Sequence, residues 1–374
     1  MRLKVAIVQI NSKLGQSQHN ITKINNLLSK AFPTHNGKNP DLVVLSELAI
    51  TGYNFASAKH IEPFLESCKP PYGASLGFAR ELSLKYGCFT VVGYPERGNA
   101  EAAEAAEAAA AAATSNGFEH TSANEGSRLK QGQEEVIYNS CAVFNRSGEL
   151  IHNYRKTFLY ETDEQWGCLE NPHKGFPPVQ LSFNKKEMST TSVSNDDGTN
   201  SILTNFGICM DLNPYKFEAP FNKFEFSAQC YHNKSRLIIC PMAWLSQQSP
   251  SIKNDLTKEE KLRQAELVEL PANKPNMETI NYWILRFFPF LAHKYSYMPK
   301  WWSNDEKVSV LISNRVGREE DVIYGGSSCI LQFNNGTKKD NGDYDAVDEI
   351  NPSVEVIGKL SQAEEGVLVE EIEV

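Results

Sequence analysis

The sequence predicts an α/β fold of layered β-α-β units, and three observations carry the prediction. Short apolar, partly β-branched runs recur along the chain, at residues 3–10, 41–45, 88–94, 202–208 and 236–240. Stretches with helical spacing separate several of them. Polar or reactive residues stand where such runs end, and the carboxyl ends of strands are where open α/β sheets place their chemistry.

The elements follow in order. Residues 3–10 read as an apolar strand. Asn20 is placed to cap a helix through Ile21, Ile24, Leu27 and Leu28. Residues 33–40 form a loop, and residues 41–47 a buried-type strand that ends in the carboxylate of Glu47. The chain then turns on Gly52. Residues 75–87 are helical and 88–94 form the next strand. Residues 101–113 are almost pure alanine with three glutamates, so a solvated helix with polar flanks is expected there. We read residues 97–134 as an insertion in a surface loop, which costs little stability. Residues 136–144, a tight turn at 145–148, and residues 149–154 make an antiparallel hairpin. Residues 184–200 are a polar loop. Residues 202–208 lead as a strand into Cys209, then a turn with Asp211, Asn213 and Pro214, then a helix-like stretch over 216–229. Residues 236–244 form another strand. Residues 246–280 are charged and proline-containing, with a short helix near 258–270, and are read as a second insertion. Residues 281–291 are apolar and aromatic. They are expected in the core or as a groove lid, with membrane contact the minor alternative. Four strands, at 308–314, 327–333, 354–360 and 367–372, complete the sheet.

Length and composition narrow the function. The 374 residues fit one large α/β domain spanning 1–374 with the two insertions. A net charge of −9 without a basic patch argues against a nucleic-acid partner. Eight cysteines without a Cys-x-x-Cys pair are neither a disulfide framework nor a zinc pattern, and a reducing intracellular compartment is expected. The chain opens directly on a strand, so no targeting segment is expected. No uncharged run reaches the roughly 18 residues of a membrane span.

Three residues stand out as chemistry. Glu47 and Cys209 each end an apolar strand, and Lys156 follows the hairpin. Each has a plain alternative: a surface acid, a solvated Lys beside Arg155, and a small buried thiol. The N–H groups just past a cysteine at a helix start are expected to lower its thiol pKa and to hold an oxyanion.

Together these segments resemble the nitrilase, or carbon–nitrogen hydrolase, superfamily. The carrying motifs appear in family order as Ser46-Glu47 with Thr51-Gly52-Tyr53, Tyr154-Arg155-Lys156 with Leu159, and Gly207-Ile208-Cys209-Met210-Asp211. Tyr138-Asn139-Ser140, Pro241 with Trp244, Asn314-Arg315-Val316-Gly317 and Gly325-Gly326-Ser327 support them. Narrower stretches are similar to the fungal branch that removes ammonia from protein N-terminal Asn or Gln. These are residues 154–160, 209–217, 240–245 and 281–290. The superfamily's usual Arg-x-x-Glu-Asn helix is missing, and the aromatic run at 282–291 takes its place.

The resemblance implies a four-layer α-β-β-α sandwich and a Cys thioester mechanism without metal or cofactor. It implies Glu47 as base, Cys209 as nucleophile, and Lys156 with the Met210 N–H as oxyanion donors. A second acid beside the lysine is expected among Glu161, Asp163 and Glu164, with position favouring Glu164 or Asp163. A substrate α-ammonium needs an acceptor, for which Asp163, Glu164 and Asp211 are candidates, although Asp211 also suits a helix cap. Trp166 and Trp244 are candidate pocket walls, or plain core. Expected partners are protein or peptide N-termini and other components of the N-degron pathway, with no nucleic acid or membrane. The expected location is the cytoplasm, with the nucleus a second compartment. The rival readings are a small-molecule amidase or nitrilase on the same three residues, a non-catalytic adaptor for N-termini, and a papain-like dyad using His152 or His173.

Overall fold

The computed structural model describes residues 1–33, 39–99, 135–183, 201–291, 298–303, 305–335 and 353–374. In chain order the strands are β1 (Arg2–Gln9), β2 (Leu42–Leu45), β3 (Phe89–Asn99), β4 (Glu135–Phe144), β5 (Leu150–Arg155), β6 (Val179–Ser182) and β7 (Ser201–Phe206). They continue as β8 (Leu237–Pro241), β9 (Val308–Ser313), β10 (Val316–Glu319), β11 (Val322–Gly325), β12 (Cys329–Phe333), β13 (Val354–Lys359) and β14 (Gly366–Glu373). The α-helices are α1 (Ser17–Ala31), α2 (Ala58–Ile61), α3 (Ala74–Tyr86), α4 (Glu161–Gln165), α5 (Glu225–His232), α6 (Lys258–Leu267) and α7 (Met277–Arg286).

Two six-stranded sheets form, in the orders β14-β1-β2-β3-β4-β5 and β13-β12-β9-β8-β7-β6, with β10 and β11 a separate hairpin. Each sheet has a parallel centre, β1-β2-β3 in one and β7-β8-β9 in the other, with antiparallel strands outside. The central strands read as unbroken apolar runs because both their faces are covered. In the first sheet Leu3, Val5, Ile7, Leu42, Val44, Phe89 and Val91 join one core with the second sheet. The alternate set, including Ala6, Val8, Val43 and Leu45, packs with Ile24 and Leu28 of α1 and Leu76, Ala79 and Leu82 of α3. On the far side, Phe226 and Cys230 of α5 and Ile280, Trp283 and Ile284 of α7 join the core of the second sheet. The result is the four-layer α-β-β-α sandwich that the resemblance implies.

Several expectations change. Asn20 lies inside α1 rather than at its start, and its buried side chain accepts from Lys13 N and donates to the carbonyls of Lys13 and Ile50. The stretch over 216–229 is not one helix. Short turns at Tyr215–Phe217 and Phe221–Lys223 precede α5, because Pro214 and Pro220 interrupt the chain and Lys216, Phe217 and Phe224 take positive φ. Residues 246–280 carry a turn at Pro250–Ile252 and then α6, which Thr257 caps with Glu260 in a reciprocal box. The aromatic run is core: Trp283, Phe287 and Phe290 are fully buried. No described helix is long and apolar enough to cross a membrane. The alanine-rich segment and the polar loop at 184–200 lie outside the described residues.

Trp283 fills the layer between α7 and the second sheet, so Trp283→Ala should cost about 3–5 kcal/mol. A denaturant midpoint unchanged by that substitution would show that the helix is not held by its apolar face.

Candidate active site

The carboxyl end of β2 delivers the first functional side chain. Past Leu45 the chain turns sharply, with Leu48 at φ 45°, and buries Glu47 completely. A close approach from β3 fixes this turn. A Cβ at Gly93 would stand 2.7 Å from the Leu48 nitrogen and 3.0 Å from the Glu47 Cα, so only glycine fits there. Glu47 Oε1 accepts from Lys156 Nζ at 2.7 Å and from Asn139 Nδ2 at 2.7 Å, and its Oε2 accepts from the Ala243 N–H at 2.8 Å.

Lys156 follows β5 and is also buried. Its Nζ stands 2.7 Å from Glu47 Oε1 and 2.7 Å from Asp163 Oδ2, an ammonium held between two carboxylates. Burial disfavours this charge, but the charges of Asp163 and Glu47 outweigh it and hold Lys156 well above the usual lysine range. Asp163, on α4, also accepts from Asn139 Nδ2 at 2.9 Å, Tyr53 OH at 3.1 Å and Tyr160 N at 2.9 Å. Asn139 thus clamps both acids. Of the acids considered as partners to the lysine, the structure brings Asp163 to it, whereas Glu161 and Glu164 are exposed.

Cys209 opens a 3₁₀ turn, Cys209–Leu212, at the end of β7. Its φ of 43° is a strained value for a residue with a side chain, and it leaves the thiol half-buried while its neighbours are covered. Met210 is the second residue of the same turn, at the end where the first N–H groups of a helix point outward. Burial pushes the Cys209 thiol well up, and the Glu47 charge adds to this, while Lys156 and the Ala243 N–H pull the other way. Burial thus outweighs the lowering expected from the turn. The same burial raises Glu47. A neutral thiol beside a raised carboxylate suits proton transfer during attack rather than a preformed thiolate.

Asp211 is not a substrate acid. Its Oδ1 accepts from Thr157 N at 3.0 Å and Phe158 N at 2.7 Å, and its Oδ2 from Ile208 N at 2.7 Å and Tyr154 OH at 2.8 Å. It pins the loop after Lys156 to the turn that carries Cys209, even though burial lifts its carboxyl to about 7. Trp166 is also core, wholly buried and edge-on to Tyr53 at 6.0 Å. Trp244 is only partly buried and packs against Tyr282 and Trp283. The His152 ring lies tilted against Phe206, with centroids 5.2 Å apart, and burial lowers its pKa to about 4.

Two braces escaped sequence reading. Glu319, at the end of β10, accepts from Arg315 Nη2 at 2.6 Å, Tyr324 OH at 2.6 Å and Asn54 N at 2.9 Å, which holds the Tyr53 loop against Asp163. Its signal was weak, because β10 and β11 are short and meet at Glu320-Asp321 without a glycine. On α7, Arg286 Nε donates to the Leu212 carbonyl at 2.6 Å, and Tyr282 OH donates to Asn213 Oδ1 at 2.7 Å. The aromatic helix thereby grips the end of the Cys209 turn. A cavity of about 520 Å³ opens beside the site, with Tyr53, Tyr160, Leu245, Glu161, Lys258 and Glu320 in its wall. Among the described residues no group of three or more His, Cys, Asp or Glu side chains could hold a metal ion.

Removing the Asp211 acceptor would strand the buried N–H groups of Thr157 and Ile208 and the part-buried one of Phe158, while the Tyr154 hydroxyl keeps Thr157, so Asp211→Ala should cost at least about 3 kcal/mol. Chemical denaturation checks this, and a loss under about 1 kcal/mol would mean that water replaces the carboxylate.

The profile of the carbon–nitrogen hydrolase family matches residues 4–189. Protein N-terminal amidase of Schizosaccharomyces pombe is 30% identical over 89% of this chain and 92% of its own. Protein N-terminal amidase of Saccharomyces cerevisiae is 29% identical over 99% of this chain and 95% of its own. Among solved structures, an N-terminal amidase crystallised with an Asn-Glu-Ala peptide is similar at a TM-score of 0.73 and 28% identity, covering 99% of this chain and 97% of that one.

Proposed function

The chain belongs to the carbon–nitrogen hydrolase family, and from that premise we propose that it hydrolyses the side-chain amide of N-terminal Asn or Gln in proteins and peptides, giving Asp or Glu and ammonia. It is an amidohydrolase. The observation that carries the reading is Lys156 held between Glu47 and Asp163, with the charges of Glu47 and Lys156 acting on the Cys209 thiol. Support for the substrate comes from the relatives named protein N-terminal amidase and from the related structure's Asn-Glu-Ala peptide.

The proposed chemistry is that of a nucleophile activated as it attacks. Glu47 takes the thiol proton while Cys209 Sγ bonds to the carboxamide carbon. The oxygen becomes an oxyanion, stabilised by the Lys156 ammonium and the Met210 N–H. Glu47 returns the proton to the departing nitrogen, ammonia leaves, and a thioester remains. A water then gives a proton to Glu47 and attacks the thioester, and the acid is released as the thiol regains its proton. Asp163 and Asn139 keep Lys156 and Glu47 in place through the cycle. We extend the proposal to a role feeding the N-degron pathway in the cytoplasm, since the product exposes a new acidic N-terminus.

The test compares peptides beginning with Asn, Gln, acetyl-Asn and an internal Asn, followed by ammonia release and by mass. Conversion of free N-terminal Asn or Gln alone, absent from Cys209→Ala, is expected. Equal conversion of acetyl-Asn would replace the reading with a general amidase. Removing an oxyanion donor typically costs about a hundredfold or more in rate, so Lys156→Met should lower kcat at least that much. The pH profile is a separate check. Glu47 must be a carboxylate to act as base, and burial raises its pKa, so kcat/KM should rise with pH through an acid limb above the usual glutamate range. A limb at or below that range would place the titrating base elsewhere.

A further inference from the structure

The loop that leaves the Cys209 turn carries two exposed aromatic rings, Phe217 (59% exposed) and Phe221 (47% exposed). A large apolar side chain in water gains nothing from folding, and Phe217 is held out at a conformational cost. Lys216 and Phe217 take positive φ in succession, 52° and 56°. Each ring touches a residue tied to the site, and the Arg286 guanidinium also lies 4.9 Å from the Phe221 ring centre. Phe217 meets the ring of Tyr160 edge-on at 6.5 Å, and the Tyr160 N–H bonds Asp163. Phe221 meets Tyr282 edge-on at 6.1 Å, and the Tyr282 hydroxyl bonds Asn213 beside the nucleophile turn. Each exposed ring is therefore one aromatic contact away from a residue anchored in the site. The loop's charges, Lys216, Glu218 and Lys223, are of mixed sign and give it no strong field.

We propose that Phe217 and Phe221 form an apolar landing surface for the peptide segment behind the first residue, and that it favours apolar side chains at the second to fourth positions. This rests on the N-terminal amidase reading. If the first residue sits at Cys209, the rest of the peptide must leave through the mouth of the site. An extended peptide advances about 3.3 Å per residue, so the next few residues cross the rim. Bare main chain has little to gain from exposed phenyl rings, whereas leucine or valine side chains bury surface on both partners.

The test is a ratio of kcat/KM between two peptides with the same first residue, Asn-Leu-Leu-Gly and Asn-Gly-Gly-Gly. A preference of about tenfold for the leucine peptide is expected, which corresponds to partial burial of two side chains. In the double variant Phe217→Ser/Phe221→Ser the ratio should fall towards one. Because both rates come from one sample, the ratio is independent of how much of the variant is folded. A ratio near one in the unmodified enzyme overturns the proposal without any variant. So does a ratio that the double variant leaves unchanged. Failure of both peptides to release ammonia would instead sink the N-terminal amidase reading, and the landing surface with it.

Discussion

An ammonium buried between two carboxylates sets the terms for the rest of this molecule. Lys156 has no exposed surface at its side chain, and neither has Glu47 or Asp163. Ions in such a place are tolerated only when the partners are close and their remaining lone pairs are satisfied. The chain meets that condition with groups from both sheets. Glu47 comes from the end of β2, Asn139 from β4, Lys156 from the end of β5, and the Ala243 N–H from the segment after β8. The face-to-face packing of the sheets is thus registered at one end by polar contacts and along its length by apolar ones. Loss of Lys156 would leave two buried carboxylates without their counter-charge, which costs more than the contacts themselves.

The nucleophile is held by a different device. Cys209 takes a left-handed conformation, and such strain persists only where the surroundings over-determine it. Here Asp211 gathers the N–H groups on either side of the site, and Arg286 with Tyr282, one helical turn apart on α7, secure the far end of the turn. Helix α7 serves two faces at once. Trp283 and Ile284 bury into the second sheet, while Tyr282 and Arg286 reach the active-site loop. An aromatic run that looks like plain core in the sequence therefore also does positional work.

Most of the fold was legible because its signals are local. Apolar runs bounded by turns gave most of the long strands, although β3 runs on to Asn99, past the run at 88–94 and into residues read as part of an insertion, and the strand ends gave Glu47 and Cys209 their places. The helix expected over 216–229 is broken at Pro220, which fixes φ and removes a donor, and by the positive φ of Lys216, Phe217 and Phe224. The three central residues were found through motifs in order, not through any one of them. Asp163 could not be separated from Glu164 because neighbouring positions on a short helix differ in direction, which only the turn at Tyr160 decides. Asp211 stood both as a candidate substrate acid and as a helix cap, and the structure makes it the cap of the Cys209 turn. A carboxylate in a motif looks alike whether it meets a ligand or four donors of its own chain. Asn139 and Glu319 were invisible as clamps, since their partners lie far away in sequence.

The pairing of β3 with β4 runs in unbroken register to Asn99 opposite Glu135, and Arg97 reaches across to the Glu135 carboxylate. Whatever joins those two positions starts and ends on a ladder that is already closed. Length added between two ends that are already paired brings only the weak logarithmic cost of loop closure. That makes this point a natural port in the architecture, open to lengthening, shortening or exchange in evolution and in the laboratory. A fluorescent reporter or an affinity tag spliced there would ride on the rim of the sheet. Asn139, further along the same strand, would keep its hold on the two acids beneath.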